Sequence, residues 1–181
     1  MDISKIRSKT RTNAIIASLL ASFIAYFTSS GMCSAMLEMK RALHIGLVPM
    51  EWTITIFTAL AASSITIGGQ YGDIFGRLKV FLYGIIIYFI CSILLSIGTD
   101  LTIVMIGSVL RGIGGGFIVS GSLSVLKTLA GPKRLNFAST LWVIGSFAGY
   151  FFGCLFGGLF AQFVDWRMLY WVCLPPLAYC I

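Results

Sequence analysis

The 181-residue chain is 58% hydrophobic and only 10% charged, whereas an ordinary soluble domain carries about 25% charged residues. So few charges cannot cover a water-soluble globule of this size, which makes lipid the solvent. The net charge of +7 does not point to nucleic acid, because the basic residues sit in short clusters between apolar runs and form no continuous stripe; such clusters are what the positive-inside rule expects of cytoplasmic loops.

The chain opens on a basic stretch, Lys5, Arg7, Lys9 and Arg11, followed by an uncharged run over residues 12–37. The hydrophobic part of a cleavable signal peptide is only about 7–15 residues long, so this run is predicted to span a membrane, with residues 1–12 as a cytoplasmic tail and 13–181 as a transmembrane bundle. A polar segment with Lys40, Arg41 and His44 precedes a second run, 52–72, which Trp52 opens. The segment Gly69-Gln70-Tyr71-Gly72-Asp73-Ile74-Phe75-Gly76-Arg77-Leu78-Lys79 leads into a third run, 80–99. In that segment Gly69 and Gly72 would let another helix approach, Gly76 would permit a tight turn, and Asp73 would pair with a cation or cap a helix.

The fourth run, 101–126, is apolar except for Arg111. At about 1.5 Å per residue this arginine lies about 15 Å deep, near the bilayer centre. A cation there costs about 2.5–3.5 kcal/mol at least, which favours a functional role; the alternative is a structural arginine held by backbone carbonyls. The glycines after it do not form a dinucleotide loop, since no strand precedes them and Phe117 breaks the spacing. After Lys127, Lys133 and Arg134 comes the fifth run, 135–164, with Gly145, Gly149, Gly153 and Gly157 four residues apart and Gly158 adjacent. Residues at that spacing share a helix face, a groove without side chains for close contact or bending. Asp165-Trp166-Arg167 follows, and then 14 residues, too short to complete a crossing of about 30 Å. The expectation is an all-α polytopic bundle of five complete spans plus a truncated sixth, and a fragment or truncated gene product. A barrel would show alternating segments of about ten residues.

Placing the N-terminus inside puts Lys5, Arg7, Lys9, Arg11, Arg77, Lys79, Lys127, Lys133 and Arg134 on the inner side, against Lys40, Arg41 and Arg167 outside. That bias predicts a multi-pass protein of the cell membrane with a cytoplasmic N-terminus. The five cysteines form no C-x-x-C pair, and His44 is the single histidine. No catalytic triad, metal site or cofactor is therefore expected.

The segment from Gly69 to Lys79 resembles the loop motif G-x-L-a-D-r-x-G-r-k between helices two and three of the major facilitator superfamily, with Ile74 and Leu78 where basic residues are usual. Arg111-Gly112-Ile113-Gly114-Gly115-Gly116 is similar to that family's helix-four motif R-x-x-Q-G-x-G, with Gly114 in place of glutamine. The glycines from Gly145 to Gly158 resemble its antiporter motif in helix five, with Cys154 replacing a proline. Trp52, and Asp165-Trp166-Arg167 with Pro175, are similar to elements of the drug:proton antiporter branch with fourteen helices.

The resemblance implies a proton-coupled exporter of drugs or other amphipathic small molecules, of which this chain is the N-terminal part. In it Arg111 serves proton coupling; Gly69, Asp73, Gly76 and Arg77 a cytoplasmic gate; Gly115 and Gly116 the helix-four motif; and Gly145, Gly149, Gly153, Gly157 and Gly158 the moving seam. The partners implied are substrate, protons, the lipid bilayer and the missing C-terminal half or another membrane polypeptide. Two other readings stay open. One is a transport-inactive membrane fragment; the other, which the helix-five glycines disfavour, is an uptake symporter of the same superfamily.

Overall fold

The computed structural model describes residues 3–130 and 135–180, all organised around six helices. Lys133 and Arg134 lie outside the described residues, as do the side chains of Lys5, Arg7, Lys9 and Arg11. The helices are α1 (Ile3–Ala42), α2 (Leu47–Phe75), α3 (Arg77–Ile97), α4 (Leu101–Ala130), α5 (Leu135–Phe163) and α6 (Met168–Cys180). Five of them, from α1 to α5, are long and apolar enough to cross a membrane. Each apolar run thus became a helix, because in hydrocarbon only intrahelical bonds satisfy the backbone. Most helices extend beyond the run, since polar residues at their ends still hydrogen-bond as helix.

The connections are short enough to make sequential helices antiparallel. The segment between the second and third runs is tighter than its spacing predicts: α2 and α3 are separated by Gly76 alone. Gly76 has φ +99°, a conformation available to glycine and strained for other residues. Helix α1 ends on His44, whose φ of 52° places it in the left-handed region. There the His44 N–H reaches the Arg41 carbonyl and the Ile45 N–H the Lys40 carbonyl, each at 3.3 Å, the paired bonds of a Schellman end.

Helix α4 lies between α2 and α3, while α5 packs on α1. Helix α6 closes the bundle against α1 and α3. One apolar core joins α1, α3, α4 and α6 through residues such as Ile24, Phe27, Phe81, Ile85, Ile118 and Leu177. A second, with Met32, Met39, Met50, Leu95, Val104 and Trp166, fills the end of the bundle nearest the α1–α2 and α3–α4 turns.

Candidate functional site

Helix α4 carries the chemistry, and its glycines explain how. A side chain on Gly112 would lie 2.8 Å from the Phe57 carbonyl of α2, and one on Gly116 2.8 Å from the Ala61 carbonyl. On the other side, a side chain on Gly114 would stand 3.0 Å from the Tyr88 nitrogen of α3, and one on Gly121 2.8 Å from Phe81 Cβ. Gly115 faces the Tyr88 ring at 3.4 Å. The two neighbouring backbones therefore approach α4 as closely as its missing side chains allow, the small-residue packing that holds helices together without a hydrophobic driving force.

Within this tight stack Arg111 is fully buried. Its guanidinium lies over the Phe57 ring, 4.2 Å from the centroid, and its Nη1 donates to the Tyr170 hydroxyl at 3.0 Å. Nε and Nη2 have no partner among the described residues, and neither does the buried Ser108 Oγ one turn earlier on the same helix. Among the described residues no backbone carbonyl accepts from the arginine. A cation–π face and one phenol offset part of the cost of burying the charge, and among the described residues no carboxylate pairs with it.

Near it is a second polar group. Tyr88 and Thr28 share a hydroxyl–hydroxyl hydrogen bond, and Tyr88 also reaches the Ala25 carbonyl at 3.4 Å. This link between α3 and α1 drew no notice in the sequence, where single tyrosines and threonines in apolar runs carry no signal. Tyr170, the partner of Arg111, escaped notice for the same reason.

The segment around Gly76 is built differently. Asp73 sits within α2 and accepts from Arg77 Nη2 at 3.1 Å and Nε at 3.3 Å, an exposed pair four residues apart that bridges the break at Gly76. A side chain on Gly69 would meet nothing within 4 Å among the described residues, and one on Gly72 would meet Arg77, its Cγ at 3.6 Å and its Cα at 3.7 Å. The close approach expected at Gly69 and Gly72 occurs instead at Gly68, where a side chain would lie 2.8 Å from the Phe117 ring.

In α5 the glycine stripe divides. Side chains on Gly149 and Gly153 would overlap the Phe23 and Phe27 carbonyls of α1, and one on Gly157 would overlap Gly31. The Ser30 hydroxyl adds a bond to the Tyr150 carbonyl at 2.8 Å. Gly145 and Gly158 have nothing within 4 Å. At 100° per residue, each four-residue step turns by about 40°, which carries Gly145 off α1, while Gly158, next to Gly157, points about 100° away from it. Gly31, the α1 side of this contact, is a lone glycine in its run and so gave no pattern to read.

Trp52 is exposed on α2. Trp166 is buried at the corner before α6, beside Asp165 and Arg167, which form an ion pair at 3.3 Å. His44 is exposed at the end of α1. Among the described residues no group of three or more His, Cys, Asp or Glu side chains is placed to hold a metal ion.

The family model described as Major Facilitator Superfamily matches residues 18–181. An MFS-type transporter of Aspergillus terreus is 31% identical over 87% of this chain and 29% of its own length. A cephamycin export protein of Amycolatopsis lactamdurans is 25% identical over 93% of this chain and 35% of its own. A multidrug resistance protein B homolog of Mycobacterium tuberculosis is 29% identical over 70% and 23%, respectively. The chain therefore spans between 23% and 35% of the length of these relatives.

Proposed function

The chain belongs to the Major Facilitator Superfamily, and from that premise we propose that it forms the N-terminal bundle of a proton-coupled exporter of drugs or other amphipathic small molecules. Residues 13–181 supply the bundle, residues 1–12 its cytoplasmic tail, and the protein sits in the cell membrane. The functions for which the relatives are named, cephamycin export and multidrug resistance, support outward transport. The basic-residue bias supports the orientation.

The observation that carries proton coupling is Arg111. An arginine does not release its own proton, so it acts on a neighbouring acid by favouring that acid's charged form. Among the described residues Glu38, Glu51, Asp73, Asp100 and Asp165 all lie towards helix ends. The acid is therefore assigned to the remainder of the transporter, which would meet the two unpartnered donors of the guanidinium. The Gly69, Asp73, Gly76 and Arg77 segment forms the inner gate in this reading, and Gly115 and Gly116 keep α4 close to its neighbours. Of the α5 glycines expected at the moving seam, Gly149, Gly153 and Gly157 are taken up by α1 of the same bundle, which leaves Gly145 and Gly158 to face the seam along which the halves rock.

The test uses inverted membrane vesicles containing the full gene product that carries this chain. With an imposed pH gradient, Arg111→Ala is expected to reduce ethidium transport at least tenfold at equal protein level. Parental rates in that variant would remove proton coupling from Arg111. Accumulation in the opposite direction would identify an uptake symporter.

The fraction of the relatives' length that is covered favours a second arrangement, in which residues 1–181 transport only with another bundle. That partner is either a further part of the same polypeptide or a second membrane polypeptide. Expressing residues 1–181 alone tests the need for either: dye transport by this chain would show that it needs no partner bundle.

A further inference from the structure

Tyr170 is the only hydrogen-bond partner of Arg111 among the described residues, and it stands in the first turn of α6, three residues after Arg167. Its ring meets Trp166 edge-to-face, with centroids 6.2 Å apart and planes at 88°, a favoured aromatic geometry. Trp166 in turn lies under the Arg167 guanidinium, 5.0 Å from ring centroid to Cζ. Arg167 donates twice to the Gly98 carbonyl at the end of α3, from Nε at 3.1 Å and Nη2 at 2.9 Å. Asp165 completes the corner: one carboxylate oxygen accepts from the Arg167 N–H at 2.9 Å and the other from its Nη1 at 3.3 Å.

Each member of this series touches the next. The guanidinium of Arg167 is anchored to α3 and braced by Asp165, and the Trp166 ring lies beneath it. Trp166 is buried and meets the Tyr170 ring, whose hydroxyl accepts from Arg111. The Phe57 ring supports the face of the Arg111 guanidinium, and Tyr170 supplies the directional contact, the hydrogen bond in its plane.

We propose that Tyr170 is the positioning residue for Arg111, and that the Asp165-Trp166-Arg167 corner sets the position of Tyr170, so that the buried guanidinium is oriented from the helix end that carries Gly98. This rests on the reading of Arg111 as the coupling group. The corner then ties the angle of that group to the packing of α3 against α6. A shift of α6 relative to α3 during transport re-aims the charge without any contact between Arg111 and the corner itself.

Two measurements on the full gene product test the proposal. In the first, thermal unfolding in dodecyl maltoside micelles is compared for Arg111→Gln, Tyr170→Phe and the double variant. Tyr170→Phe keeps the ring and removes only the hydroxyl, so it should fold. The double variant is expected to unfold no earlier than Arg111→Gln alone, and additive losses would overturn the pairing.

In the second, pH-gradient-driven ethidium transport is followed in inverted vesicles at equal amounts of folded protein. Tyr170→Phe is expected to lower the maximal rate about fivefold to tenfold with KM changed less than twofold. Arg167→Ala should act in the same direction more weakly, and Arg167→Lys should recover part of the loss. Parental rates in Tyr170→Phe alongside a lost rate in Arg111→Gln would overturn the positioning role and leave the coupling role standing. Parental rates in Arg111→Gln would instead overturn the coupling role, and the unfolding comparison would then decide the positioning on its own.

Discussion

Helices α4 and α5 are both rich in glycine, yet they use it in different ways. The glycines of α4 at 107, 112, 114, 115, 116 and 121 all lie against a neighbour, some towards α2 and others towards α3. Four of those in α5 stand four residues apart, with Gly158 next to the last, and of the five from Gly145 to Gly158 only the middle three touch α1. A helix wedged between two others needs small residues on two faces, so its glycines fall at mixed intervals. A helix that packs on one neighbour can use a regular interval, and the ends of its stripe then wind off the contact. Regular spacing is easy to see and overstates the seam; irregular spacing is hard to see and conceals two.

The largest effect that would break this comparison is expected at Gly153. A valine there would have to occupy the position of the Phe27 carbonyl, which is backbone and cannot move without carrying α1 with it. Overpacking of this kind costs about 1–3 kcal/mol or more, and Gly153→Val should lose most of its folded protein on detergent size-exclusion chromatography. Gly145→Val, on the same stripe with nothing within 4 Å, should elute as the parent does. Equal losses in the two would mean that the whole stripe is one contact.

A smaller contrast is expected inside α4. In Gly116→Ala the added methyl meets the Ala61 carbonyl at 2.8 Å and the Ile65 nitrogen at 2.9 Å, so α2 must shift, at a cost of about 1–3 kcal/mol. In Gly115→Ala the methyl meets the edge of the Tyr88 ring at 3.4 Å, a contact that a small ring movement relieves. The unfolding midpoint in detergent should fall clearly for the first and by under about a third as much for the second, since only the first opposes backbone.

The same comparison shows what could be read in advance. The six apolar stretches became helices because lipid leaves the backbone no other solution, and the burial of Arg111 inside the bundle is what a lone cation in an apolar run requires. What surrounds Arg111 was not legible. Phe57 and Tyr170 are aromatic residues in apolar runs, on helices far apart in sequence, and nothing local marks them as the groups that meet a guanidinium. Gly68 against Phe117 in place of Gly69, and Gly31 against Gly157, depend on the rotation of one helix relative to another. That rotation is decided by packing across the whole interface. That Asp73 would pair with a cation was legible because basic residues follow it closely in sequence, and the cation is Arg77, four residues on across Gly76.

The smallest effect concerns the glycines of α5 that touch nothing. Alanine is favoured over glycine in a helix by about 1 kcal/mol, and at Gly158 there is open space for its methyl. If only the contacts within this bundle mattered, Gly158→Ala would raise the unfolding midpoint of the isolated chain by a few degrees. In the full gene product the position faces whatever packs on the free side of α5, where Phe147 and Phe151 are also exposed. A second bundle closing on that side would turn the added methyl into an obstacle. Gly158→Ala is therefore expected to stabilise residues 1–181 expressed alone and to slow ethidium transport in the full gene product. A gain in both would place the open glycines towards lipid, and the seam of α5 would then end at its contact with α1.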